Sequence, residues 1–165
     1  MAASTLSQSI TDINLSLDKI IQQVKELEAE TIQRKPSEEE WSIMQILCHI
    51  VEAVPYWLTE IETLLATPGV EWGRGLQDQA RLAAVTNIEN ESVSNVLTEI
   101  VNLKEQVEKT LSKLNVEMLK QEAPSRNPRF GVKPLTFIVD HLLVEHVEKH
   151  YSQIQRNLTK FGLIK

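Results

Sequence analysis

The sequence has a single cysteine, Cys48, among its 165 residues. One cysteine cannot form an internal disulfide, and its place within the apolar run IleMetGlnIleLeuCysHisIleVal predicts a buried, inert thiol rather than a nucleophile. Glycine is also scarce, with five residues, and no glycine-rich phosphate loop or nucleophile elbow is present. These absences exclude a disulfide framework and leave no recognisable phosphate, nucleotide or cofactor motif.

Positive charge is in the minority, with 17 Lys and Arg against 23 Asp and Glu and a net charge of −6. No basic run or stripe offsets this excess, so nucleic acid is not an expected partner. The start of the chain, MetAlaAlaSerThrLeuSerGlnSerIle, lacks the basic and apolar regions of a secretory signal. No segment is long and apolar enough to span a bilayer. We therefore expect a cytoplasmic protein that does not bind a membrane.

The length of the chain predicts a single domain over residues 1–165, with enough core to fold without a disulfide or a structural metal. Apolar residues from Leu6 to Leu27 recur in steps of three and four, which indicates a first helix that ends near Lys35, before Pro36.

A second helix is predicted to start at Ser42, with Gln45 completing a capping box, and to end before Pro68. Pro55 lies inside it, where we expect a kink or a lost backbone hydrogen bond.

Two further helices complete the pattern. The third is predicted to begin at about Asn87, and the fourth follows Thr136 as a candidate cap. The long connections at residues 67–85 and 120–134 have no assigned role, although the first is expected to contain a short helical turn. With no strand pattern, the sequence predicts an all-α four-helix bundle.

Three of the four histidines are candidate metal ligands. His146 and His150 are four residues apart, so on a helix both imidazoles can point to one place. They interrupt the apolar stripe of the fourth helix, while His49 flanks the stripe of the second, and bundle cores are where such sites are built. Three protein ligands would leave positions open for water or substrate, as a catalytic metal requires. The alternative is core histidines bonded to backbone carbonyls.

Other polar and aromatic residues lie near these histidines in the sequence. Glu52, three residues after His49, is a candidate catalytic base or histidine-orienting group, and the alternative is a solvated carboxylate on a helix flank. His141 lies nine residues before His150, which places it on the opposite side of a regular helix, at the surface or outside the ligand set. The remaining candidates for a pocket wall are Gln153, Tyr56 and Trp57, although core positions are more typical of Trp41 and Trp57.

Two segments resemble the DinB-like superfamily. TrpSerIleMetGlnIleLeuCysHisIleValGluAla matches its Trp-Ser helix start leading to a histidine, and HisValGluLysHisTyrSerGlnIle matches its later histidine pair followed by Gln-Ile. The resemblance covers nearly the whole chain. It implies an up-down-down-up four-helix bundle, commonly a homodimer, with a divalent metal, often nickel or zinc, bound by His49, His146 and His150. Many relatives have Asp where this sequence has Val147.

The resemblance also implies a range of activities. Relatives include S-transferases that use bacillithiol or a similar low-molecular-weight thiol, mycothiol-dependent maleylpyruvate isomerases and metal-dependent hydrolases. A cation held by neutral imidazoles acidifies water or a thiol, which serves both hydrolysis and thiol transfer. Two functions stay open: a metal-dependent S-transferase or hydrolase acting on a small molecule, and a non-catalytic dimeric helical module in which the metal is structural or absent.

Overall fold

The computed structural model describes the backbone of residues 2–165 and the side chains from Leu6 onward. The first side chains of the chain, on which the prediction of no secretory signal partly rests, lie outside the described residues. The elements are α1 (Ala2–Val24), α2 (Ala29–Gln33), α3 (Ile43–Ala66), α4 (Gln79–Ala83), a 3-10 turn (Ile88–Asn90), α5 (Val93–Leu111), α6 (Val116–Lys120), β1 (Glu122–Pro124), β2 (Val132–Pro134), α7 (Leu135–Phe137), a π-helical segment (Ile138–Val144) and α8 (Glu145–Lys160). Within residues 2–165, no helix has the length and apolar character needed to cross a bilayer.

Four long helical stretches, α1, α3, α5 and the continuous stretch from α7 to α8, form the predicted all-α bundle. α1 and α3 each pack against both α5 and α8. Three side-chain hydrogen bonds define the helix directions: they join Gln155 to Gln23 (2.9 Å), Asn157 to the Trp41 carbonyl (2.9 Å) and Lys113 to Glu62 (3.1 Å). α8 is therefore parallel to α1 and antiparallel to α3, and α5 is parallel to α3. The order is up-down-down-up.

The helix that carries His49 starts where the sequence predicts. The Ser42 hydroxyl accepts from the Gln45 backbone N–H (3.1 Å), and the Gln45 side-chain oxygen accepts from the Ser42 N–H (2.9 Å). This capping box satisfies two backbone donors that the first turn leaves free. α3 then runs through Pro55 to Ala66 without interruption. The cap therefore fixes the start of α3 and, with it, the position of His49.

Replacing Ser42 with Ala should lower the free energy of unfolding by about 1 kcal/mol, because the Gln45 N–H loses its acceptor at a buried helix end. Urea denaturation measures the change. Ser152→Ala is the matched control, since Ser152 is an exposed residue inside α8 and caps nothing. Equal stability of the two variants would contradict the assigned role of the capping box.

The first helix is shorter than predicted. It ends at Val24 rather than near Lys35, and α2 follows after a break. A continuous stripe would direct Thr31 to the core, whereas the structure buries Ile32, which is 1% exposed. The break allows this change of face and places α2 against α3.

The third long helix begins later than predicted. Asn87, its expected start, has a left-handed backbone with φ of 56°. A right-handed helix does not continue through such a residue, and the short polar side chain of Asn tolerates the conformation. The 3-10 turn follows, and α5 starts at Val93, where the Ser92 hydroxyl accepts from the Asn95 N–H.

The second connection contains two strands, β1 and β2, that the sequence does not predict. They pair antiparallel, with Ala123 opposite Lys133. Each has three residues, which is too short for an alternating pattern to be recognised. The two strands form a hairpin within the second connection, and α7 begins directly after β2.

The fourth long helix also starts differently. Pro134, and not Thr136, precedes its first residue, and the Thr136 hydroxyl instead donates to Asp140 (3.3 Å). The fixed φ of proline is already suited to a helix start. The helix then widens into the π-helical segment directly before the histidine pair. Such segments are frequent at functional sites.

The two long connections are tied to each other and to α3. Trp72 is 1% exposed, and its ring N–H donates to the Ala123 carbonyl (2.9 Å). The Trp72 backbone N–H donates to Pro124 (3.1 Å). Glu60 of α3 accepts from the Gly73 N–H (2.7 Å). Hydrogen bonds therefore join the two connections, residues 67–85 and 120–134, to each other and hold the first against α3.

Candidate metal centre

The three histidines singled out in the sequence come together between α3 and α8. Nε2 of His146 lies 3.2 Å from Nε2 of His49 and 2.9 Å from Nε2 of His150. The candidate ligand atoms of all three lie within 4.8 Å of one another. His49 and His150 are buried, and His146 is partly buried. Two helices therefore present three imidazole nitrogens to one place.

Hydrogen bonds alone do not satisfy this cluster. Nδ1 of His150 lies 2.8 Å from Oε1 of Gln153, and because an amide oxygen only accepts, Nδ1 carries the proton and Nε2 has a lone pair. If Nε2 of His146 carries a proton, it can donate that proton to only one of the two neighbouring nitrogens. If Nε2 of His49 carries the proton instead, the Nε2 lone pairs of His146 and His150 face each other. A cation shared by the three nitrogens removes the conflict.

The spacing fits a divalent metal. Nitrogens bound about 2.0–2.1 Å from one tetrahedral ion lie roughly 3.3 Å apart, and the two short separations here are 3.2 and 2.9 Å. Burial lowers the pKa of His49 to about 2, of His146 to about 3 and of His150 to about 4, although the hydrogen bond to Gln153 partly opposes the effect at His150. Neutral imidazole is the form that binds metals, so the donors are in the required state.

Gln153 orients one of the three rings. By accepting from His150 Nδ1 it fixes the tautomer that presents Nε2 to the centre. His49 has no equivalent support: its Nδ1 is buried and without a hydrogen-bond partner among the described residues. Gln153 is therefore the residue whose hydrogen bond fixes the tautomer of His150.

Replacing Gln153 with Leu should lower the affinity for zinc or nickel by about 10- to 100-fold, the usual effect of removing a residue that orients a ligand. Competition with a chromogenic chelator measures this affinity. Gln155→Leu is the control, since Gln155 lies on the same helix but bonds to Gln23. If both variants bind metal equally well, Gln153 does not orient His150.

The histidines open into a cavity of about 300 Å³, a size that suits a small molecule. Both long connections supply its walls. From the first come Arg74, Gly75, Leu76 and Arg81; from the second come Asn127, Arg129 and Phe130; and helices contribute Ala53, Trp57, His141, Leu142 and Lys149. The connections whose role the sequence did not assign thus shape the space in front of the three nitrogens.

Glu52 forms an ion pair at the edge of this cavity. Its two oxygens accept from the Arg74 guanidinium at 2.8 and 2.5 Å, and Arg74 also bonds to Asp78 (3.2 Å) and lies over the Tyr56 ring (3.9 Å). Glu52 is therefore an ion-paired carboxylate on the helix flank, with its side chain 24% exposed. The role of Glu52 as a base stays a prediction, and its ion pair positions Arg74 in the cavity wall.

His141 is exposed at the surface, as predicted, but it does not lie on the side of the helix opposite His150. It lines the same cavity as His150, and its Nδ1 lies 2.8 Å from Glu145 while its ring stacks on Phe137 at 5.0 Å. The π-helical segment has more residues per turn than the regular helix assumed in that prediction, and His141 falls within it. As predicted, it is not one of the converging ligands.

The residues predicted to be core show two different environments. Trp57 is 6% exposed and both packs in the core and faces the cavity. Trp41 is partly buried, with its ring 5.1 Å from that of His49. Cys48 is also partly buried, and burial raises its pKa to about 11, which agrees with an inert thiol.

The sequence analysis missed the basic residues of the cavity. Arg81, Arg129 and Lys149 line it together with Arg74. Arg74 and Arg129 lie in loops, Arg81 on α4 and Lys149 on α8, with no shared motif or spacing. Only the fold brings them to one cavity, so no sequence signal identified them.

The fold and the site together define the class of this protein. It is a four-helix bundle in which three histidines converge beside a cavity to form a candidate metal centre. Within that class, the family model of the DinB superfamily matches residues 14–154, and the chain belongs to this superfamily. No curated protein sequence matches it significantly.

A solved structure supports the same fold. The chain is similar to YfiT from Bacillus subtilis, with a TM-score of 0.83, 14% sequence identity, and coverage of 99% of this chain and 91% of that one. YfiT is described as a probable metal-dependent hydrolase with an unusual four-helix bundle topology. At this identity the similarity establishes the shared fold.

Proposed function

We propose that this protein is a divalent-metal-dependent enzyme that acts on a small molecule by hydrolysis or by transfer to a low-molecular-weight thiol. His49, His146 and His150 would hold the metal. The observation that carries the proposal is the convergence of three Nε2 atoms at the wall of an open cavity. The description of YfiT as a probable metal-dependent hydrolase supports the hydrolytic form.

The donor set suits zinc or nickel, because both accept neutral imidazole ligands. Either ion would supply Lewis-acid activation of a nucleophile, water in hydrolysis or a thiol in transfer. The protein's own residues orient the ligands and form the walls of the site. Gln153 orients His150, Glu52 positions Arg74, and Trp57 forms an apolar part of the cavity wall.

Activity assays on protein purified without a histidine tag test this proposal. Zinc-loaded, nickel-loaded and metal-stripped protein are compared on chromogenic esters and amides, and on an electrophile supplied with cysteine or glutathione. Turnover should require the metal and disappear in His49→Ala. Turnover without added thiol indicates hydrolysis, whereas strict dependence on thiol indicates transfer. Equal activity of loaded and stripped protein would contradict the proposal.

Circular dichroism of the stripped protein separates this enzyme from the alternative helical module with a structural metal. The apolar core extends along all four long helices, so a chain of 165 residues should keep its helical signal without the ion. Loss of that signal on chelation would instead support a structural metal.

A further inference from the structure

The wall of the cavity beside the three histidines is rich in basic side chains. Four cationic side chains line it, Arg74, Arg81, Arg129 and Lys149, and no carboxylate is among the described residues of its wall. The chain as a whole carries an excess of acidic residues and a net charge of −6. Basic side chains are therefore concentrated at this cavity, although acidic residues are in excess in the chain as a whole.

Two of these arginines have different surroundings. Arg74 is neutralised, since it bonds to both Glu52 and Asp78. Arg81 is half-buried, its Nη1 donates to the Leu76 carbonyl (3.1 Å), and within residues 2–165 no carboxylate pairs with its guanidinium. Burial, and then the charge of Arg74, lower the pKa of Arg81. The charges of Glu52 and Asp78 act in the opposite direction, and the Asp78 carboxylate accepts from the Arg81 backbone N–H (3.1 Å) rather than from its guanidinium. A partly buried guanidinium without a direct carboxylate partner binds anions well.

The other polar groups of the wall add hydrogen-bond donors. Asn127 accepts from the Arg129 N–H through Oδ1 (3.0 Å), which leaves its side-chain NH₂ as the group free to donate. Arg129 and Lys149 are exposed at the mouth of the cavity. An arginine with several donors in a planar fork matches the oxygens of a carboxylate or phosphate. The wall is therefore complementary to an oxyanion.

We infer that the substrate is a small molecule bearing a carboxylate or phosphate group, which binds to Arg81 with Lys149 and Arg129 at the entrance. The inference rests on the proposed function, because it takes this cavity as the substrate site. With the charged group at Arg81, the rest of the molecule extends over Trp57 toward the histidines. Arg81 is thus the principal specificity-determining residue.

Isothermal titration calorimetry at constant ionic strength tests the inference with succinate, inorganic phosphate and the neutral analogue succinamide. Zinc-loaded and metal-free protein are both titrated. Succinate or phosphate should bind to both forms, and succinamide to neither. The preferred anion identifies the group recognised. Failure of both anions to bind, or equal binding of succinamide, overturns the inference.

Three variants assign the binding to Arg81. Arg81→Gln should weaken anion binding by about tenfold or more, as expected for loss of a charge-assisted hydrogen bond, and Arg81→Lys should retain more affinity because it keeps the charge. Arg81 lies over the Trp41 ring (5.7 Å). Arg34→Gln is the matched control, since Arg34 lies over the Phe161 ring (4.4 Å) but outside the cavity. Circular dichroism checks that each variant is folded.

The outcomes for the oxyanion and the metal are separable. Anion binding that depends on Arg81 in protein that takes up no zinc would support the oxyanion site and overturn the proposed metal function. Normal zinc uptake with anion binding that is insensitive to Arg81→Gln would support the metal site and overturn the oxyanion site. Anion binding seen only in zinc-loaded protein and unchanged by Arg81→Gln would also overturn the inference, because the anion would then bind the metal alone.

Discussion

Replacing His146 with Ala should lower the affinity for zinc or nickel by at least about 100-fold, beyond the range expected for losing a residue that only orients a ligand. Its Nε2 is the one that lies close to both other ring nitrogens, at 3.2 and 2.9 Å. Without it the two remaining imidazoles, His49 and His150, offer an incomplete donor set. Titration against a chromogenic chelator gives the affinity.

His141→Ala is the control for this variant. His141 lines the same cavity and lies on the same continuous helix, but it is bonded to Glu145 and is not one of the converging ligands. Its removal should leave metal affinity nearly unchanged. Comparable losses from His141→Ala and His146→Ala would show that the ligand assignment is wrong.

Replacing Trp72 with Ala should lower the free energy of unfolding by about 3–5 kcal/mol, the typical effect of truncating a buried aromatic residue. Trp72 is 1% exposed and packs against Trp57, Phe130 and Phe137. Its loss would leave a void where the two connections meet. Urea denaturation followed by circular dichroism measures the change.

Trp72→Phe provides the comparison. Phenylalanine retains an aromatic ring at this position but cannot donate to the Ala123 carbonyl, so the loss should be clearly smaller than for Ala. Trp72→Ala with a change below about 1 kcal/mol would mean that the connections are held mainly by other contacts.

Local signals in the sequence were sufficient for much of the fold. Ser42 and Gln45 predicted the start of α3, because a capping box depends only on residues three positions apart. The pairing of His146 and His150 was predicted from the period of the helix. Convergence with His49 followed from placing each histidine on or beside an apolar stripe, since such stripes face a common core.

Features that depend on tertiary contacts were not predictable in this way. The break after α1 follows from the burial of Ile32, which lies off the stripe of the preceding helix. His141 was misplaced because a π-helical segment, which has no clear sequence signature, changes the angle between successive residues. Arg81 was missed because only the path of the first connection brings it to the histidines.

The metal content of protein purified without a histidine tag and dialysed against zinc or nickel is the most direct test of the proposed metal centre. Mass spectrometry of the metal should find about one divalent ion per chain. The variant with His49, His146 and His150 all replaced by Ala should contain almost none, while His141→Ala should match the unmodified protein. Unmodified protein that takes up no zinc or nickel, or a triple variant that retains full metal content, would contradict this account.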